Sequence, residues 1–205
     1  MEIHLPGHIR TFRDFLVHLG IITLGILIAL GLEQLVEAHH RAKIGRDTVV
    51  SFRGELAYDR EQVLEVMSAT AGLRGQLQKQ IEVIEAMRDV APKGAIPIEY
   101  PQIHFDYISS ASWETAIATQ ALYYIPAPDA KRFSEAYGVF RLFRDEERAG
   151  LAAWQDLRRF GADAAALTPE QRRALVEQLR RYESFTYVID MIGKGTLQAC
   201  DRALQ

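Results

Sequence analysis

Glu33, Glu37 and His40 are the residues whose types and spacing most suggest chemistry. They stand at i, i+4 and i+7, along one face of a helix, and Glu37 with His40 forms a Glu-x-x-His pair. Carboxylates and imidazoles so arranged hold metal ions. A di-iron bundle takes two such pairs and two further glutamates from other helices. This chain has one pair, so the set would need a second copy to complete it. The competing reading is a polar collar where a helix leaves lipid, since a charge placed deeper in the bilayer is costly. We read the three as that collar and expect no metal and no cofactor. His39 and His40 are of the residue type suited to sensing pH, but neighbours on a helix do not face each other, and we read them as solvated.

Other chemistry-bearing residues are weaker. Trp113 with Glu114, Glu147 near Arg144 or Arg148, and His104 with Asp106 are pocket candidates. Aromatic residues at helical spacing are normally core, and Glu147 suits either a surface pair or burial against a partner helix. No Ser-His-Asp or Cys-His set can be argued from spacing alone. Gly193-x-Gly195 lacks the preceding strand and third glycine of a dinucleotide site. Cys200 is the only cysteine. It excludes an intrachain disulfide and a thiolate metal cluster, and on the apolar stripe of the last helix it is expected to be a small buried hydrophobe. The net charge of −3, with acids and bases mixed as between Arg141 and Arg148, argues against nucleic acid as a partner.

The elements that position these residues begin with an anchor. Residues 15–32 read FLVHLGIITLGILIALGL, 18 residues without Asp, Glu, Lys or Arg. At about 1.5 Å per residue they cover roughly 27 Å, close to the hydrocarbon thickness. Leu35 and Val36 extend the run, and His18 lies near one end. The plan is a short flank at 1–14, a transmembrane anchor at 15–36 and a helical soluble domain at 37–205. A cleaved signal peptide, with Ala29 and Gly31 as the small residues, is disfavoured because the helical pattern passes straight through Glu33 and Gln34. A buried core helix rarely needs so long a charge-free run. Arg10 and Arg13 lie closer to the span than Arg41, Lys43 and Arg46. The Lys/Arg rule therefore slightly favours the amino end inside and the domain exported. Gly25 and Ala29, four apart, would let a second helix approach closely within the membrane.

GILIALGLEQLVEAHHRAK followed by a long amphipathic helix resembles an uncharacterised group of small bacterial proteins with one amino-terminal anchor and a helical domain. SWETAIATQAL, at 112–122, is similar to a Trp-containing segment in such chains. The resemblance covers about a third of the chain and implies a bacterial inner-membrane location; it carries no activity.

Beyond the anchor, Phe52, Leu56, Val63, Met67, Thr70, Leu73, Leu77, Ile81, Ile84 and Met87 recur at helical steps. Gly45 and Gly54 are expected bend points, Pro92 and Gly94 the end, and a break is expected so that the far part folds back. Three prolines at 91–107 exclude a helix there, and its apolar residues, Ile96 to Phe105, are expected to lie over the core. A short helix should run from Ser110 through Trp113, Ile117 and Ala121 to Tyr124. A third starts at Pro128 or Asp129, its stripe (Phe133 to Leu157) interrupted by Glu147, with Gly161 and Asp163 at the exit. The last starts at a capping box, Thr168-Pro169-Glu170-Gln171, with Gly193 and Gly195 weakening its final turns. The fold class is all-α: one transmembrane helix continuing into an irregular antiparallel bundle. Function is expected to be membrane-anchored interaction or scaffolding without catalysis. The partners are the lipid bilayer and either a second copy or another membrane protein, and the alternative is a small-ligand-binding or sensory bundle.

Overall fold

The computed structural model describes residues 12–87, 94–101 and 108–205. Arg10, Pro92, Ile103, His104, Phe105 and Asp106 lie outside the described residues. The first helix, α1, spans Phe12–Ala71 without interruption. Its first part is long and apolar enough to cross a membrane, and none of that apolar window is buried, so it is not a core helix of the domain. Beyond Val36, pairs one turn apart carry the helix through polar sequence: Glu37 with Arg41 at 2.7 Å and Lys43 with Asp47 at 3.2 Å. Burial begins at Gly45 and continues on one face through Phe52, Leu56, Asp59, Val63, Val66 and Thr70.

A second helix, α2, spans Leu73–Ala86. The expected fold-back does not occur. Gly72 separates α1 from α2 yet keeps right-handed helical dihedrals (φ −77°, ψ −22°), and both pack on the same partner. That partner is the last helix, α5, at Pro169–Leu204. Cys200 meets Leu56, Arg60 pairs with Asp201 at 2.9 Å, Gln78 donates to Glu183 at 2.7 Å and Arg180 pairs with Glu85 at 2.7 Å. As position rises along α1 and α2 it falls along α5, a single antiparallel seam. The reason lies in phase: Val66, Thr70, Leu77, Ile81 and Ile84 stay on one face across Gly72, so α5 buries both stretches without any reversal. The helix ends at Ala86, capped at Met87, before Pro92 is reached.

The helix α4 spans Ala127–Leu157 and packs most extensively on α5. Val139 meets Thr196, and Gly150 faces Phe185, so α4 is also antiparallel to α5 and runs parallel to α1. A parallel pair needs a long return, supplied by the proline-rich segment and the short helix α3, Ala111–Ala118. Ile98 is buried, as expected of the strip over the core. Pro97 bridges to Asp163, the Ile98 N–H donates to the Ala162 carbonyl at 2.9 Å, and the Trp154 indole donates to the Pro101 carbonyl at 3.0 Å. α3 stops sooner than its stripe suggests. Gln120 takes a left-handed conformation (φ 58°) and a 3-10 turn follows at Ala121–Tyr124, which reverses the chain into α4. Gly161 (φ 76°) marks the exit of α4, and Asp163 caps the next turn.

The α5 capping box forms as expected. The Gln171 N–H donates to the Thr168 hydroxyl at 3.2 Å and the Thr168 N–H to the Gln171 side chain at 2.9 Å. The core has two connected parts, one around Phe52, Phe140 and Phe143 and one around Leu77, Leu157 and Leu179, with Phe185 packed against both. α5 runs through Gly193 and Gly195 to Leu204, and the missing side chain at Gly193 admits Met67 and Phe143 at the seam.

α1 runs through Gly45 and Gly54 without a break. A Cβ at Gly45 would run into the Tyr124 carbonyl oxygen, whereas one at Gly54 meets open space. The same substitution in the same helix should therefore act with opposite signs. Gly54→Ala is expected to stabilise by about 0.5–1 kcal/mol through helix propensity, and Gly45→Ala to destabilise by about 1–3 kcal/mol through overpacking. Thermal unfolding followed by circular dichroism in detergent measures both; equal shifts would contradict the close approach at Gly45.

Candidate functional site

Glu33, Glu37 and His40 stand on the free-standing stretch of α1, with Glu33 and His40 exposed and Glu37 half-buried against Arg41. Among the described residues, no group of three or more His, Cys, Asp or Glu side chains is placed to share a metal ion. His39 is exposed as well, as are Gly25 and Ala29.

The pocket candidates of the domain resolve differently. Trp113 stacks on Tyr137 (ring centroids 5.3 Å apart) and tilts on Phe52 (5.6 Å), so it is core. Glu114 accepts from the Ser110 hydroxyl at 2.7 Å at the start of α3. Glu147 is buried on α4, while Arg148 pairs with Asp145 at 3.5 Å. Cys200 is fully buried, its thiol donating to the Leu56 carbonyl at 3.4 Å. Gly193 and Gly195 lie inside α5, not in a phosphate loop.

The polar cluster that the structure does assemble is on α1, one turn apart: Glu55 and Asp59. The Tyr137 hydroxyl donates to Glu55 at 2.8 Å and the Ser109 hydroxyl to its other oxygen at 2.8 Å. The Ser112 N–H donates to the same carboxylate at 3.1 Å. Ser110, the residue at the N-cap of α3, makes no side-chain cap. The first turn of α3 is thus capped by a carboxylate from another helix, which satisfies an orphan donor and sets a negative charge at the positive end of the helix dipole. Asp59 is completely buried. One oxygen accepts the Ser109 N–H at 3.1 Å, and the other has no hydrogen-bond partner among the described residues.

Burial sets the electrostatics. Removal from water pushes the Asp59 carboxyl up to about 7, opposed by the Ser109 N–H, reinforced by the charge of Glu55 and opposed again by Arg144. Burial also raises the Tyr137 phenol, with the hydrogen bond to Glu55 adding to it, and pushes the Cys200 thiol up to about 12. Neither group is a nucleophile at neutral pH. What the cluster can do is bind and release one proton near neutrality at Asp59, and hold the 109–112 segment while it does so.

Sequence reasoning passed over Glu55 and Asp59. The signal for Asp59 was a gap. The apolar stripe steps from Leu56 to Val63, and the intervening position on that face is Asp59, a carboxylate where helical period demands an apolar residue. Glu55 had no such signal, because its partners lie more than fifty residues away.

An ordinary unfolded aspartate titrates near 3.9, while Asp59 in the fold titrates near 7. Between those values the folded state holds a proton that the unfolded state has released, so its contribution to stability is greatest below about 4, declines as pH rises towards 7 and then levels off. Asp59→Asn keeps an oxygen for the Ser109 N–H and removes the titration. Chemical unfolding at a series of pH values should show a decline for the wild type between pH 4 and 7 that is shallower in the variant. Identical slopes would show that Asp59 is not the buried proton site.

The chain matches no protein-family model, no curated protein and no solved structure.

Proposed function

We propose that the chain is a single-pass protein of a bacterial inner membrane, with the helical domain on the exported side, acting through protein interaction rather than catalysis. The observation that carries this reading is α1 itself, one uninterrupted helix whose apolar first part is wholly exposed and whose later part is the spine of the bundle. A domain joined to its anchor in this way is held at a set height and orientation above the bilayer, which suits a scaffold. The exposed back of α1 supports the same reading. Gly25, Ala29, Val36, Val50, Gly54 and Leu64 recur at helical steps and are all exposed, opposite the buried face of Phe52, Leu56 and Val63. Small residues in the span let another helix come close, and the same side of α1 continues into the domain. The partner is a second copy or another anchored helix.

A second reading, a small-ligand-binding bundle, draws on one cavity of about 270 Å³ between α2 and α5, where Arg172, Arg173 and Arg180 outnumber Glu85 and Glu177. It suits a small anion. A rise in melting temperature with phosphate or a dicarboxylate would favour this reading over the scaffold.

The scaffold reading is tested by association. Purified full-length protein in mild detergent, and the same protein crosslinked in its membrane, should give species larger than the monomer. Gly25→Leu with Ala29→Leu should reduce them, since bulk at the small positions blocks close helix approach. A strictly monomeric wild type, unaffected by the double substitution, would overturn the reading.

A further inference from the structure

Arg172, near the start of α5, is the one basic side chain buried among the described residues, at 6% exposed. Its Nη1 donates to the Leu167 carbonyl at 3.1 Å. Its Nε is enclosed and has no partner among the described residues. The carboxylates near it are bound to other cations. Glu170 pairs with Arg173 at 3.2 Å, and Glu85 pairs with Arg180 at 2.7 Å. A guanidinium has five donors, and a buried charge held by one neutral carbonyl is costly unless an anion compensates it.

Arg172 lines the cavity of about 270 Å³ between α2 and α5. That volume is just under the roughly 300–1,000 Å³ of small-molecule sites. The wall beside Arg172 is apolar: Ile84 from α2, and Pro169 and Val176 from α5. Val176 stands one turn on from Arg172, on the same face of α5. A ligand bound to the guanidinium therefore has an apolar surface for the rest of its body. Charge sets how many negative groups that ligand carries. With Arg173 and Arg180 paired, one guanidinium is left to neutralise one negative charge. Glu85 and Glu177 on the same wall repel a second. A phosphate monoester carries about −1.5 to −2 at neutral pH. A carboxylate carries a single charge, and its two oxygens match the planar fork of arginine.

We propose that this cavity binds a small organic monocarboxylate, its carboxylate on Arg172 and its apolar body against Ile84, Pro169 and Val176. The proposal rests on the ligand-binding reading of the cavity and narrows the ligand to one chemical class. Arg172 compensates the ligand, and the ligand compensates Arg172.

The test uses the full chain in lipid nanodiscs, titrated calorimetrically with acetate, butyrate, hexanoate and inorganic phosphate; empty nanodiscs give the partition of each into lipid. Affinity should rise from acetate to hexanoate by up to about fourfold per methylene, and phosphate should bind more weakly than hexanoate. Arg172→Gln should weaken hexanoate about tenfold or more, with far-ultraviolet circular dichroism checking the fold. Glu177 is exposed, so Glu177→Gln leaves the packing alone, and by removing a repelling charge it should tighten hexanoate about two- to fourfold. Hexanoate binding no tighter than acetate, or a folded Arg172→Gln that binds like the wild type, would overturn the proposal. If Arg172→Gln does not fold, an unchanged affinity in Glu177→Gln overturns it instead. Binding of phosphate with none of hexanoate would overturn the monocarboxylate and leave the anion-binding cavity standing. Binding of neither would overturn both.

Discussion

The structure depends on the continuity of α1. A backbone in hydrocarbon must satisfy its own hydrogen bonds, so a spanning segment is helical throughout. Here the helix does not stop where the apolar run stops. It crosses a polar stretch held by i, i+4 ion pairs and becomes the spine on which α3 and α5 are placed, with α4 packed chiefly on α5. A helix that has paid the cost of nucleation adds turns cheaply, and no proline or unfavourable cluster between Phe12 and Ala71 ends it. The other elements lie against this spine: α5 along the buried face from about Leu56 onward, α4 through Phe133 and Tyr137, and the turn at Ala121–Tyr124 against Gly45.

The Glu55 and Asp59 cluster is the second consequence. The return from the far end of α2 must start a new helix, α3, whose free N–H groups would otherwise be left on a partly buried surface. Glu55 meets that need from α1 and at the same time accepts the Tyr137 hydroxyl, so one carboxylate joins α1, α3 and α4. Asp59, one turn further along α1, occupies a core position, where burial raises its carboxyl to about 7. The arrangement positions backbone rather than substrate, and it lies one turn from the aromatic contacts of Phe52, Trp113 and Tyr137 that close the near end of the bundle.

Local features were legible in the sequence, and long-range ones were not. The α5 start needed only four adjacent residues, Thr168 to Gln171, and formed as read. The all-α class followed from stripes that each lie within one segment. Whether α2 folds back or continues depended on α5 being long enough to cover both, which no local pattern states. Ser110 was the right position for the start of α3, but its cap came from Glu55, a residue distant in the chain. Gly45 looked like a hinge because glycine weakens helices; its actual role, admitting the Tyr124 carbonyl, exists only once the fold is formed. Glu33, Glu37 and His40 drew attention because helical spacing puts them on one side, yet a ligand set also needs groups from across a gap, and among the described residues no such group is assembled.

The central claim, that the apolar segment and the domain share one rigid helix, is tested most directly by a distance. Spin labels at Leu32 and Leu64, both exposed, lie 32 residues apart on α1, about 48 Å along an unbroken helix; the buried thiol of Cys200 does not compete for label. Pulsed dipolar spectroscopy on the full chain in lipid bilayers should give one narrow distribution near that distance. A broad distribution, or one centred well below it, would mean that the helix bends or breaks between the apolar segment and the bundle, and the account of a rigidly held domain would be contradicted.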